Sequence, residues 1–207
     1  VADEGMIKYK IDYLDYDKSN ILLGIMPERM TVTFKDNSTR LEIKSVYGVF
    51  KFAQISNKRE GINVTLLKIL DKKYKYQQDI DSIAAAFESM RNLQLNMTGE
   101  TKMIAGYECK KVNARINNKK HSMEFPVFST NEIDINQPNK NNPFHELNEV
   151  LLEFQLTLKD IRMRLSATEI KKAKVEKSDF VVPDDYKEIS KQEMSEIIGR
   201  FTSNDAS

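Results

Sequence analysis

The sequence predicts a mainly β fold with minor α content: an antiparallel, strongly curved half-barrel, one helix lying across its concave face and a second helix at the C-terminal end. Three observations carry this expectation. Apolar residues recur with a period of two over most of the chain, polar turn clusters separate those runs, and a single alanine-rich stretch with helical spacing interrupts them.

Taken in order, Ile7, Tyr9, Ile11 and Tyr13 alternate with Lys8, Lys10 and Asp12, the pattern of a strand with one buried face. Met30, Val32 and Phe34 repeat it, Asp36-Asn37-Ser38 turns the chain, and Leu41 and Ile43 return, which together read as a hairpin. Val49 to Ile55 and Ile62 to Leu70 are strands around the turn Asn57 to Gly61, and Tyr74 and Tyr76 mark another. The break comes at Asp81 to Arg91. Its alanine run favours helix, Ile83, Phe87 and Met90 share one helical face, and Asp81 or Ser82 serves as N-cap.

Strands then resume. Leu93, Leu95 and Met97 alternate, Gly106 turns the chain into Tyr107 to Ile116, and Ser122 to Ser129 returns after Asn117 to Lys120. Asp134 to Pro143, rich in Asn and Pro, is a loop. Val150 to Leu158 has apolar residues compatible with either period and is assigned to a strand; Ile161 to Ala167 follows as the next, with Ile170 to Val175 as its extension. In the tail, Met194, Ile197, Ile198 and Phe201 take helical spacing, and Ser190 with Glu193 forms a capping box.

Composition narrows the class. The 207 residues show no composition shift, so residues 1–207 read as a single domain. A formal net charge of +1, with the charges mixed along the chain, gives no global field to select nucleic acid or an anionic membrane. The longest apolar runs, such as Ile21-Leu22-Leu23 and Val150-Leu151-Leu152, fall far short of the ~20 residues of a spanning helix. Cys109 is the single cysteine, so no internal disulfide forms. Val1 in place of a starting Met leads us to expect export, with Val1 soon after a cleavage site.

Motifs for chemistry are incomplete. His145-Glu146-Leu147-Asn148-Glu149 opens like a zinc-protease helix but has Glu149 where the second histidine belongs. Asp15, Asp17 and Ser19 have the first spacings of a calcium loop, but Asn20 and Met26 stand where its glycine and glutamate are needed. Cys109 reads as a buried apolar thiol; Lys111 on the same strand face leaves a reactive thiol as the alternative. Lys73-Tyr74-Lys75-Tyr76 reads as one aromatic and one solvated face rather than a base-stacking platform. The nine methionines suit either ordinary core filling or an adaptable, lipid-accepting interior. No catalytic residue, metal ligand or cofactor is expected.

The stretch Ile104-Ala105-Gly106-Tyr107-Glu108-Cys109-Lys110-Lys111-Val112 resembles the GLPGLI-type envelope proteins of Gram-negative bacteria and their uncharacterised relatives. Thr130-Asn131-Glu132-Ile133, the loop from Pro138 to Pro143 and Val150 to Phe154 match later parts of the pattern, and Phe180 to Tyr186 matches it more loosely. Leu147-Asn148-Glu149-Val150-Leu151 replaces the Leu-Pro-Gly-Leu-Ile core, which points to a sister family. The resemblance implies an architecture similar to the periplasmic lipoprotein carriers LolA and LolB, a periplasmic or outer-membrane-anchored location, and an apolar cavity. The expected function is therefore a non-enzymatic envelope binding protein that carries or senses a lipid or lipoprotein acyl chain, with Ile83, Phe87 and Met90 lining the cavity. The alternative is a solidly packed module that binds another envelope protein or a glycan. Nucleic acid is not an expected partner.

Overall fold

The computed structural model describes residues 4–15, 26–117, 122–158 and 161–202. Twelve strands form one sheet: β1 (Glu4–Tyr13), β2 (Arg29–Lys35), β3 (Ser38–Lys44), β4 (Phe50–Asn57), β5 (Ile62–Ile69), β6 (Lys72–Gln77), β7 (Leu93–Ile104), β8 (Tyr107–Asn117), β9 (Ser122–Thr130), β10 (Val150–Leu158), β11 (Ile161–Lys172) and the short β12 (Lys187–Glu188). Their order across the sheet is β12-β6-β5-β4-β3-β2-β1-β11-β10-β9-β8-β7. The period-two runs thus gave strands where expected, including Val150–Leu158.

Two antiparallel meanders, β1 to β6 and β7 to β11, are joined by pairing of β1 with β11, Ile7 opposite Ile170 and Ile11 opposite Leu165. Among the described residues only β12 on β6 is parallel, which makes the sheet mixed. Gly5 in β1 sits where no side chain fits: a Cβ there would meet the Lys171 carbonyl at 2.5 Å and the Phe34 ring at 2.9 Å.

The expected half-barrel is not what forms. Among the described residues β12 and β7 end the sheet without pairing with each other, and the sheet is neither closed nor strongly curled. The sequence period reports which residues face the core, but not the strand tilt and stagger that determine whether a sheet closes.

The helix expected across a concave face is also replaced. Asp81 to Arg91 folds not as an α-helix but as a 3-10 segment, Ala85–Met90, broken at Phe87 (φ −106°, ψ 16°). The physical reason is competition for its backbone. The carbonyl of Ser82 accepts from Asn63 and Asn141, that of Ile83 from Gln78, and that of Ile80 from Asn141, while Ala84 N–H donates to the Asn141 carbonyl. Partners from other elements occupy the groups that an α-helix would use internally. The C-terminal helix does form, as α1 (Lys191–Thr202), and its capping box is present: Ser190 N–H donates to Glu193 at 2.8 Å and Glu193 N–H to Ser190 Oγ at 3.2 Å.

The main core lies on one face of the sheet and includes Ile7, Tyr9, Phe52, Phe144, Leu152, Phe154 and Leu165, with Phe87, Met90, Met194 and Ile198 packed onto them. A second, smaller cluster lies on the other face, where Val175, Phe180 and Tyr186 cover Ala53, Ile55, Val64 and Leu66. β4 and β5 are therefore buried on both sides, which explains why their sequences read as near-continuous apolar runs.

Candidate functional site

Between the sheet and the loop over residues 135–142 the main core leaves a partly open cleft of about 90 Å³. Its floor is apolar: Ile7, Met30, Phe87, Phe154 and Leu156. Tyr9 also reaches it, its hydroxyl donating to the Leu151 carbonyl at 2.8 Å and its ring set edge-on to Phe154. Burial pushes this phenol well above its usual pKa, so it stays a neutral hydrogen-bond donor.

Amides form the roof, and they are occupied with holding it in place. Asn141 donates to the carbonyls of Ile80 (2.8 Å) and Ser82 (2.9 Å) and accepts from Ser56 Oγ at 2.7 Å. Asn139 donates to the carbonyls of Leu147 (2.7 Å) and Glu149 (2.8 Å). Beneath them, Gln54 donates to Asn63 at 2.5 Å and accepts from Thr65 at 2.6 Å, and Asn63 donates to the Asp79 carbonyl at 2.7 Å. Lys58 bonds Gln137, and Lys140 pairs with Asp81. Among the described residues no buried side-chain polar atom lacks a partner. This network went unread in the sequence. Gln54 and Ser56 continue the inward parity of Phe50 and Phe52, and that polar end of a core strand was the available signal.

Of the three residues expected to line a cavity, Phe87 stands at this cleft. It is 1% exposed, with its ring edge-on to Phe52 at a centroid distance of 6.0 Å. Met90 is buried away from the cleft, where its Sδ accepts from Thr157 N–H at 3.0 Å. Ile83 is half-buried at the margin of the core. The non-helical geometry at Phe87 breaks the stripe that would have aligned the three.

The other chemical candidates separate. Cys109 is fully buried, and desolvation, with Glu132 adding to it, pushes its thiol up to about 11. Lys111 is engaged with Glu100 at 3.0 Å. The thiol is thus protonated at neutral pH and acts as core filling. His145 and Glu146 are exposed in a turn, and Glu149 accepts from Ser129 at 2.5 Å. Asp15 pairs with Arg162, while Asp17, Ser19, Asn20 and His121 lie outside the described residues. Tyr74 and Tyr76 pack against the core. Among the described residues no group of three or more His, Cys, Asp or Glu side chains could hold a metal ion, and no helix is long and apolar enough to cross a membrane.

No family model matches the chain, and no curated protein matches it in sequence. A solved structure of PNGF-II does match in fold: TM-score 0.56 over 96% of this chain, at 14% identity. The chain spans 33% of the length of that protein. These findings overturn the resemblance to the GLPGLI-type proteins and to the LolA and LolB carriers, because the matched fold is a different one and the sheet is open. The short motifs around Cys109 and Glu132 sit on the β8–β9 hairpin and in the bend beyond it.

Proposed function

We propose that this chain is a non-catalytic interaction module that meets its partner, another protein or a glycan, with its outer surface. The observation that carries this reading is the filled interior. Sites that enclose a ligand run to roughly 300–1,000 Å³, whereas the cleft here is about 90 Å³ and its roof is tied down by Asn139 and Asn141. An acyl chain enters such a core only if that network opens and the side chains around Phe87 move apart. The perturbed carboxylates on the surface also have a plain structural cause: Lys171 and Lys8 pull Glu169 down to about 2, and Lys35 lowers Glu4.

A titration with a fluorescent fatty acid tests this reading. The expected result is no saturable binding at micromolar protein. One-to-one uptake, displaced by unlabelled fatty acid and altered by Phe87→Ala, would replace it with the acyl-carrier reading.

A further inference from the structure

At one end of the sheet, the β3–β4 and β5–β6 turns lie side by side, tied by a hydrogen bond from Leu70 N–H to the Val49 carbonyl at 2.7 Å. Together they present Val46 (83% exposed), Tyr47 (82%) and Leu70 (64%) to solvent. Leu70 also holds a left-handed backbone, φ +55°, a conformation that suits Gly or Asn and that a bulky apolar residue rarely takes. An exposed position with that backbone would ordinarily select a polar turn residue.

Directly behind the two turns runs a row of lysines. Lys44 is opposite Lys51, Lys51 opposite Lys68, and Lys68 opposite Lys73, across four adjacent strands. Directly paired residues point to the same face, so the row forms one ladder of like charge. Its neutralisation is partial. Glu42 is shared among Arg40 (2.8 Å), Lys51 (3.1 Å) and Lys44 (3.8 Å), and Asp185 pairs with Lys73. Among the described residues no carboxylate pairs with Lys68. Asp71 is the single carboxylate in the two turns, and Lys72 follows it.

We propose that this end of the molecule docks on an anionic lipid bilayer, the Val46, Tyr47 and Leu70 side chains entering the interface and the Lys44-Lys51-Lys68-Lys73 row facing the headgroups. An apolar tip beside a cationic row is complementary to a surface that is apolar within and negative at its boundary. A protein partner would have to supply both an apolar socket and an aligned acidic row; a bilayer supplies both everywhere. The proposal rests on the outer-surface reading above and adds a bilayer to the surfaces that this face meets.

The test is flotation with vesicles of phosphatidylcholine alone and of phosphatidylcholine with 30% phosphatidylglycerol. The parent protein is expected to float with the anionic vesicles only, and to release them in high salt. Lys68→Gln should weaken binding about fivefold, the usual share of one interfacial lysine. Leu70→Asn should also weaken it, yet raise the melting temperature, because Asn accepts the left-handed backbone. That combination separates lost docking from lost folding. Failure of the parent protein to bind anionic vesicles at low salt overturns the proposal, as does binding that Lys68→Gln and Leu70→Asn leave unchanged; either result leaves the outer-surface reading standing. Saturable fatty-acid uptake would instead overturn that reading.

Discussion

The loop over residues 135–142 and the tip formed by the β3–β4 and β5–β6 turns contrast in how their local rules are met. Under the loop, each buried amide has a partner, from Gln54 on Asn63 to Asn141 on the Ile80 and Ser82 carbonyls. At the tip, apolar side chains stand in solvent, Leu70 takes a backbone that suits other residues, and lysines oppose lysines across three strand pairs. A region in which all local preferences agree is stabilising the fold. A region in which several are broken together, with only partial internal compensation, points to something outside the chain.

Substitutions that break this contrast fall in order of size. Phe87→Ala removes a fully buried ring from the floor of the cleft and should cost about 3–5 kcal/mol in a denaturant melt. A loss well below that would mean that the floor is loosely packed and the interior more open than described. Asn141→Ala leaves the Ile80 and Ser82 carbonyls short of a donor and should cost about 1–3 kcal/mol. It should also speed amide exchange in residues 80–90; unchanged exchange there would mean that the network is not what holds the 3-10 segment.

At the tip the expected sign reverses. Lys68→Thr removes two like-charge oppositions, with Lys51 and Lys73, and places a β-branched residue in a strand. Stability should rise by about 0.5 kcal/mol, with the gain shrinking as salt is added. A loss would show that Lys68 is held by contacts that outweigh the repulsion.

The smallest effect belongs to pH. The Glu169 carboxyl sits at about 2, below its ordinary 4.5, first because of Lys171 and then Lys8. A carboxyl lowered on folding contributes stability that is present above pH 4.5 and lost as pH falls towards 2. Being exposed, the pair contributes little. The stability curve of Glu169→Gln should be slightly flatter than the parent's between pH 5 and 2, and parallel curves would show that the ion pair is not formed in solution.

The sequence made some of this legible and hid the rest for identifiable reasons. Strand positions could be read because the period-two alternation of, for example, Ile7, Tyr9 and Ile11 is a direct imprint of one buried face. The Ser190–Glu193 capping box is equally local. Asp81 to Arg91 departs from the expected helix because alanine propensity is weak beside hydrogen bonds from Asn63 and Asn141, distant in the chain, and from the nearby Gln78. The curvature of the sheet is hidden from the sequence because it depends on pairings such as β1 with β11, about 160 residues apart. The lysine row was invisible for the same reason. Lys44, Lys51, Lys68 and Lys73 are scattered among acids along a nearly neutral chain, and only the register brings them together.

The chain contains no tryptophan, so a single introduced one reports its own surroundings without background. Tyr47→Trp at the tip and Phe87→Trp in the core, each mixed with anionic vesicles carrying brominated acyl chains, test surface docking against interior uptake in one fluorescence measurement. The account predicts a blue shift and quenching at position 47, with emission at position 87 unchanged. Quenching at position 87, with position 47 still reporting water, would contradict it.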